Sequence, residues 1–284
     1  MHSERGADDS LDYDAVRSYW EDAAAEADSA SYMAHDQGLP QDCIEHRFTL
    51  EGAVIDRWFA NLGPSAALLD IGCGAGAWTA RFAAQYARVV GVDASAGMLD
   101  AARRRLAGHD HVELVEGDAL TVPLDGDFDG VLVGGLLMYL DRADAESLLR
   151  RLSRLAPNGR IILRESGVRS GVEVKTGEYQ VVYRSVDEYR SIARDAGLRV
   201  VAVERNRGYA HMEVAITLTE LFRRLPPLAR RDASATGGPL WRLLRRTEAI
   251  SLGILPRAIE SVGLEWPHLI NNFLLLEPGA RSNR

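Results

Sequence analysis

Residues 68–76, with the sequence LLDIGCGAG, place a glycine loop between a short apolar segment and the start of a helical pattern. An apolar run that ends in such a loop predicts a buried strand followed by a tight turn. Glycines permit the turn and let a ligand lie against bare backbone, while the helix N-terminus offers amide donors to an anionic group. The spacing is G-x-G-x-G rather than the G-x-G-x-x-G of dinucleotide-binding folds. This stretch therefore predicts a strand–loop–helix ligand site.

Short apolar segments alternate with helical patterns from residue 66 onward. This alternation predicts parallel βαβ units and a Rossmann-like, doubly wound α/β fold with a seven-stranded, mostly parallel sheet. The predicted strands contain ALLDI (67–71), RVVGVD (88–93), HVELVEGD (111–118), FDGVLVGG (128–135), GRIILRE (159–165), LRVVAVER (198–205) and NNFLLLEP (271–278).

Helical patterns flank this alternation on both sides. Residues 11–28 and about 42–62 predict two helices before the sheet, and residues 207–268 predict a mostly helical insertion before the last strand. Eight arginines between residues 207 and 246 form either a solvated helix face or a site for carboxylate or phosphate groups. The predicted organisation is an N-terminal helical segment (1–62), a Rossmann-like core (63–206 and 269–284) and a helical insertion that covers a ligand (207–268).

Composition narrows the function classes. The chain has 284 residues, of which 46% are apolar, a net charge of −8 and no apolar run long enough to span a bilayer. The negative charge argues against nucleic-acid binding, and two cysteines favour a reducing, cytoplasmic location over a disulfide framework. His, Cys and carboxylate residues lack the spacing of zinc ligands, so we expect no metal site. The predicted protein is a soluble monomer or homodimer.

Two acidic side chains follow the next predicted strands. Asp93 ends the second strand, where a carboxylate can accept both hydroxyls of a ribose, and Asp118 follows the third strand, where it can meet an adenine edge. Because the carboxyl ends of successive parallel strands meet at one edge of the sheet, we expect these acids beside the glycine loop.

These segments together resemble the class I S-adenosylmethionine-dependent methyltransferases over about residues 66–205 and 271–278. LLDIGCGAG, GVDASAGML, EGDAL, FDGVLVGGLLMYL and LAPNGRIIL are similar to their five motifs in order. The resemblance implies that S-adenosylmethionine is the cofactor and S-adenosylhomocysteine the product. It also implies that the N-terminal segment (1–62) closes over the cofactor through the aromatic pair Tyr19 and Trp20, and that the insertion covers the substrate. The other implied cofactor contacts are Asp70, Gly72, Cys73 and Gly74 at the methionine portion, Asp93, Ala94 and Met98 at the ribose and adenine, Asp118 and Ala119 at the adenine edge, and Val133 and Gly134 at the amino acid moiety.

The acceptor side of this resemblance is less regular. Many relatives carry a His at or beside Met138 and Tyr139, and this chain carries none there. Because the sulfonium methyl is already activated, such an enzyme mainly aligns a nucleophile and removes its proton. Glu165 is the predicted base or ammonium ligand, and Tyr139 the predicted hydrogen-bond partner of the acceptor. The predicted substrate-contacting residues are Met138, Tyr179, Tyr183 and His211.

The predicted activity is N- or O-methylation of a small molecule in a biosynthetic pathway. The alternatives are C-methylation of an isoprenoid diphosphate, methylation of protein N-terminal amines, and a catalytically inactive relative that binds the cofactor. N-terminal amine methyltransferases end their fifth strand with an Asp-Asn pair, where this chain has Glu165 and Ser166, which argues against protein substrates. The glycine spacing and the EGDAL segment argue against a nicotinamide-dependent oxidoreductase.

Overall fold

The computed structural model describes residues 9–24, 41–210, 212–213, 246 and 269–279. The chain divides into two compact units, one drawn from residues 1–27, 59–204 and 272–284 and the other from residues 28–58 and 205–271. Within the described residues, no helix combines the length and the apolar character that a membrane crossing requires.

A seven-stranded sheet forms the centre of the fold, and it confirms the predicted α/β class. Its strands lie in the order β3-β2-β1-β4-β5-β9-β8, and the pairs β1–β2, β2–β3, β1–β4 and β4–β5 are parallel. The strand order reverses between β1 and β4, which creates a crevice at the carboxyl ends of these strands. The strand bounds are β1 (Ala67–Ile71), β2 (Arg88–Asp93), β3 (Val112–Glu116), β4 (Gly130–Gly134), β5 (Arg160–Gly167), β8 (Leu198–Arg205) and β9 (Ile270–Pro278).

Several helices begin at residues that cap them. The side chains of Asp12, Ser95, Asp141 and Ser185 each accept hydrogen bonds from amides of the first turn that follows. The first helix therefore begins at Tyr13 rather than at the predicted Leu11. The helices are α1 (Tyr13–Ala23), α2 (Gln41–Trp58), α3 (Ala77–Ala83), α4 (Ala96–Arg105), α5 (Arg142–Leu155) and α6 (Val186–Asp195), with a 3₁₀ turn at Leu137–Tyr139.

The apolar core lies between the sheet and α5. Strands β1 and β4 are almost entirely buried along their length, as expected for parallel strands covered on both faces. Leu148, Leu149 and Leu152 of α5 are fully buried against these strands. This packing holds the carboxyl ends of the strands at fixed positions, where the functional residues lie.

A two-stranded antiparallel hairpin follows β5 and was not predicted. It consists of β6 (Val172–Lys175) and β7 (Val181–Arg184), and all four residues of β7 are buried. The sequence indicated only an irregular segment here, because each strand has four residues and the turn between them contains Gly177. Strand β7 packs against β5 and against the 3₁₀ turn, so the hairpin supports one wall of the crevice.

The second unit contains α2 and a buried polar network. Glu51 is 2% exposed, and its Oε1 accepts hydrogen bonds from Arg47 Nε at 2.8 Å and from Asn206 Nδ2 at 2.6 Å. Asn206 Nδ2 also donates to Asn271 Oδ1 at 2.8 Å. The network therefore joins α2 to the segments that follow β8 and begin β9. Most of the predicted insertion at 207–268, including His211, lies outside the described residues.

Candidate functional site

A cavity of about 370 Å³ lies in the first unit at the carboxyl ends of β1 to β4. Helix α1 contributes part of its wall through Tyr13, Val16, Arg17 and Trp20. This is the crevice that the strand order creates, where open α/β sheets bind their ligands. The predicted site residues that line the cavity are Trp20, Gly72, Gly74, Asp93, Ala94, Met98, Asp118, Ala119, Gly134 and Tyr139.

The glycine loop presents bare backbone to this cavity. Gly74 has a φ of +52°, and a Cβ added there would meet nothing within 4 Å. Gly76, with a φ of +75°, precedes the first residue of α3, and an added Cβ would lie 3.0 Å from that of Ala102 in α4. Gly74 therefore leaves room for a ligand, and Gly76 lets α3 approach α4 closely.

Asp93 fastens the glycine loop to the end of β2. Its Oδ2 accepts a hydrogen bond from Gly74 N at 2.8 Å, and its Oδ1 accepts one from Ser95 N at 2.9 Å. Burial raises the pKa of this carboxyl, although the two amides act in the opposite direction. Each carboxylate oxygen has a second lone pair, so Asp93 can still accept hydrogen bonds from a ligand.

The loop after β3 is held in place by Arg151 of α5. Its Nη1 donates to the carbonyl of Ala119 at 3.0 Å, and its Nη2 donates to the carbonyl of Val122. Asp118 Oδ1 also accepts a hydrogen bond from Leu120 N at 2.8 Å. Asp118, Ala119 and Leu120 line the cavity, whereas Arg151 does not. Arg151 therefore holds this part of the cavity wall in place from outside the cavity.

We expect Arg151→Lys to weaken binding of S-adenosylhomocysteine about 3- to 10-fold, because one ammonium cannot reproduce the two-carbonyl contact of the guanidinium. Calorimetric titration measures this change. Arg154→Lys is the matched control, since Arg154 is an exposed residue of the same helix. Equal affinity in the two variants would contradict this role for Arg151.

Three predicted cofactor residues lie behind the cavity wall. Asp70 is 1% exposed and accepts a 2.6 Å hydrogen bond from the Thr79 hydroxyl of α3, and burial raises the pKa of its carboxyl to about 7. Cys73 is buried, which raises the pKa of its thiol well above its usual value. Val133 is fully buried in β4. Their predicted contacts with the cofactor stay predictions.

An aromatic cluster includes two residues that line the cavity, Trp20 and Tyr139. The Trp20 ring centroid lies 5.2 Å from that of Tyr139, and the Tyr19 centroid lies 5.0 Å from that of Tyr179. The Tyr139 and Tyr179 hydroxyls are 2.8 Å apart, although the two residues are 40 positions apart in the chain. Lys175 Nζ lies 5.0 Å from the Tyr179 ring centroid. The cluster thus brings together predicted cofactor and acceptor residues from α1, the 3₁₀ turn and the hairpin.

Glu165 lies beneath the 3₁₀ turn and does not line the cavity. It is 1% exposed, and its Oε1 accepts hydrogen bonds from the amides of Leu136 and Leu137, both at 3.1 Å. Burial raises the pKa of its carboxyl to about 7. In this position Glu165 supports the turn that carries Tyr139. Its predicted role as a base stays a prediction.

Two of the other predicted acceptor residues are also buried. Met138 and Tyr183 are each 6% exposed, and neither lines the cavity. No group of three potential metal ligands occurs within the residues that the structure describes. Sequence reasoning did not identify the contributions of Tyr13, Val16 and Arg17. Their spacing with Trp20 is that of one helix face, which is the signal that could have located them.

Comparisons with known proteins agree with this geometry. A family profile described as a methyltransferase domain matches residues 68–159. A demethylmenaquinone methyltransferase of Clavibacter sepedonicus is 37% identical over 48% of this chain and 52% of its own length. An uncharacterized 37.1 kDa protein in transposon TN4556 of Streptomyces fradiae is 31% identical over 82% of this chain and 64% of its own. The chain thus spans about half to two thirds of these relatives.

A solved structure, the DhpI–SAH complex, shares the fold with a TM-score of 0.55 and 17% identity, covering 94% of this chain and 97% of that one. The matched segment 68–159 runs from the glycine loop through Asp93 and Asp118 to the strand ends that border the cavity. Because the family match and the cavity coincide, residues 68–159 form a methyltransferase domain, and the predicted resemblance to the class I S-adenosylmethionine-dependent methyltransferases is confirmed.

Proposed function

We propose that this chain transfers a methyl group from S-adenosylmethionine to a small-molecule acceptor. The observation that carries the proposal is the cavity, which joins bare glycine backbone to two acidic strand ends inside the matched methyltransferase segment. The backbone of the glycine loop, together with the carboxylates of Asp93 and Asp118, suits a ligand with an amino acid end, a ribose and a purine. When bound, the cofactor supplies an activated methyl group.

The chain's own residues divide the cavity into subsites. Gly72 and Gly74 offer backbone to the amino acid end, assisted by Gly134 and by the neighbouring backbone of Val133. Asp93 accepts hydrogen bonds from the ribose hydroxyls, and Met98 packs beside the purine. Asp118 and Ala119 bind the purine edge, and Trp20 covers the cavity from α1. Asp70 and Cys73 support the amino acid subsite from behind the wall.

The aromatic cluster faces the acceptor in this proposal. Tyr139 lines the cavity, and its hydroxyl is paired with that of Tyr179. The pair can accept a hydrogen bond from an acceptor hydroxyl or amine and hold its lone pair toward the methyl group. This geometry supports N- or O-methylation, and Glu165 contributes by holding the 3₁₀ turn in place.

A small acceptor is the preferred class. The relative from Clavibacter is named for demethylmenaquinone, which is a small molecule, and the two aromatic side chains that line the cavity in this cluster, Trp20 and Tyr139, suit an apolar or planar acceptor. The labelling experiment below distinguishes a small acceptor from a protein N-terminus and from binding without turnover, and an isoprenoid diphosphate is one of the small acceptors that it could identify.

Calorimetric titration with S-adenosylhomocysteine tests the cofactor, with NAD as the comparison ligand. We expect micromolar binding of S-adenosylhomocysteine and no detectable heat from NAD. Binding of NAD alone, or of neither ligand, would overturn the proposal.

Incubation with methyl-labelled S-adenosylmethionine and a cell extract then tests the acceptor. We expect the label to appear in a small molecule other than S-adenosylmethionine, and Tyr139→Phe to reduce its transfer about 100-fold, the lower end of the usual range for a group that handles the acceptor proton. Label in intact protein would favour N-terminal methylation. Tight binding with no transfer would favour an inactive relative.

A further inference from the structure

Arg184 is a buried charge that the proposed reaction does not use. It is the last residue of β7 and is 2% exposed. Its Nη1 donates to the carbonyl of Leu137 at 2.9 Å, and its Nη2 donates to the carbonyl of Leu140 at 2.9 Å and to Asp9 Oδ2 at 2.7 Å. Burying a guanidinium is costly unless it is paired and its donors are used. These three acceptors therefore define the site in which Arg184 is stable.

Two of the acceptors belong to the segment that carries Tyr139. The carbonyls of Leu137 and Leu140 lie on either side of Tyr139 in the chain, so Arg184 fixes the segment at both ends. On the amide side of the same segment, Glu165 holds the N–H groups of Leu136 and Leu137. The Arg184 guanidinium thus binds carbonyl groups of the turn and the Glu165 carboxylate binds its amide groups. The orientation of Tyr139 toward the cavity depends on both sets of hydrogen bonds.

The third acceptor belongs to the segment that leads into α1. Asp9 precedes α1, and its Oδ2 also accepts a hydrogen bond from Arg142 N at 3.0 Å. A second anchor lies one turn later, where the Tyr13 hydroxyl donates to Asp144 Oδ2 at 2.6 Å and accepts from Asp141 N at 3.1 Å. Both anchors hold the start of the helix whose next residues form a wall of the cavity.

The approach of β7 is itself specified by the sequence. A Cβ added to Gly167, at the end of β5, would lie 2.1 Å from the Arg184 carbonyl oxygen. Only a residue without a side chain fits there, which allows β7 to lie directly against β5. This contact brings the Arg184 guanidinium under the 3₁₀ turn.

We propose that Arg184 is a positioning residue that couples the seating of α1 to the placement of Tyr139. This inference rests on the proposed function of the cavity. When α1 is seated, Asp9 neutralises Arg184 and the turn is held. When α1 moves away to admit or release a ligand, the buried guanidinium of Arg184 loses its carboxylate partner. Because an unpaired buried charge is costly, Arg184 then also moves, and the turn that it binds becomes less ordered. The acceptor-facing hydroxyl is therefore in place only while the cavity is covered.

Asp9→Asn tests the coupling, because it removes the charge and keeps the size of the side chain. Hydrogen exchange of the ligand-free protein is the first measurement. We expect amide exchange in Tyr13–Ala23 and in residues 137–140 to accelerate together, by about tenfold or more, as befits loss of a charge-assisted hydrogen bond. Asp9→Glu retains the carboxylate and is expected to restore most of the protection.

Asp14→Asn is the matched control. Asp14 lies in the first turn of α1 with its side chain 95% exposed, and its nearest cation is the exposed Arg17 at 3.9 Å, so we expect unchanged exchange. Acceleration of α1 alone, with residues 137–140 unaffected in Asp9→Asn, would overturn the coupling. So would equal protection in Asp9→Asn and wild type.

The dissociation rate of S-adenosylhomocysteine provides the second measurement. We expect Asp9→Asn to release it about 10-fold faster than Asp14→Asn. An unchanged rate in a protein that binds the compound would contradict a covering role for α1. If wild type binds no S-adenosylhomocysteine, the proposed function fails, and hydrogen exchange still decides whether Asp9 and the turn are coupled.

Discussion

Asp93→Ala is expected to weaken binding of S-adenosylhomocysteine about 10- to 150-fold, as measured by calorimetric titration. The carboxylate accepts from Gly74 N at 2.8 Å and from Ser95 N at 2.9 Å, and in the proposed complex it also accepts from the ribose hydroxyls. Hydrogen bonds to a charged group contribute roughly 1.5–3 kcal/mol, which corresponds to this range of affinity. The substitution therefore removes both a ligand contact and the anchor of the glycine loop.

Asp93→Asn separates these two contributions, because its carbonyl oxygen can keep one backbone contact while the charge is lost. We expect its affinity to lie between those of wild type and Asp93→Ala. Asp100→Ala is the matched control, since Asp100 is an exposed carboxylate of α4 that pairs with the exposed Arg103. If Asp93→Ala and Asp100→Ala bind S-adenosylhomocysteine equally well, Asp93 does not contact the ligand.

The free energy of unfolding is expected to fall as the pH rises from about 4.5 to 7, through the contributions of Glu165 and Asp70. Burial raises the pKa of each carboxyl to about 7 in the folded protein, from usual values of 4.5 and 3.8. Between these limits the folded state binds more protons than the unfolded state, so folding is favoured at the acid end and less so as the groups ionise. For Glu165 alone the change is about 3 kcal/mol.

Glu165→Gln isolates this contribution, because glutamine cannot ionise and its carbonyl can still accept from the amides of Leu136 and Leu137. Denaturant unfolding at several pH values should show the variant gaining about 3 kcal/mol relative to wild type between pH 5 and pH 8. Glu113→Gln, at an exposed position of β3, is expected to show no such gain. A constant difference in the free energy of unfolding between Glu165→Gln and wild type across this range would mean that folding does not raise the pKa of Glu165.

The succession of strands along the chain and the strand ends that border the cavity followed from the sequence because they depend on local signals. Each parallel strand is a short apolar run, and each ends in a glycine or an acid, as at Gly72, Asp93 and Asp118. Because parallel strands end at the same edge of the sheet, knowing the strands is enough to place these residues together. Nothing about side-chain direction is needed for that step.

Side-chain direction is what the sequence did not supply at Glu165 and Asp70. Both were correctly located at the carboxyl ends of strands, yet their carboxylates point to backbone amides and to Thr79 instead of lining the cavity. The helical pattern of residues 11–28 predicted α1, but only the structure shows that the face lining the cavity includes Tyr13, Val16 and Trp20. A periodicity predicts a helix without specifying which side its neighbours cover.

By itself, then, the sequence determined the α/β class, the strand ends that border the cavity and the resemblance to the S-adenosylmethionine-dependent methyltransferases. Only the tertiary structure decided the hairpin β6–β7, the pairing of Tyr139 with Tyr179, and the buried contact of Arg184 with Asp9. The physical reason is that the two side-chain contacts join residues 40 and 175 positions apart, and that the hairpin strands are only four residues long. Their stability comes from burial and charge pairing, which no local pattern of residue types records.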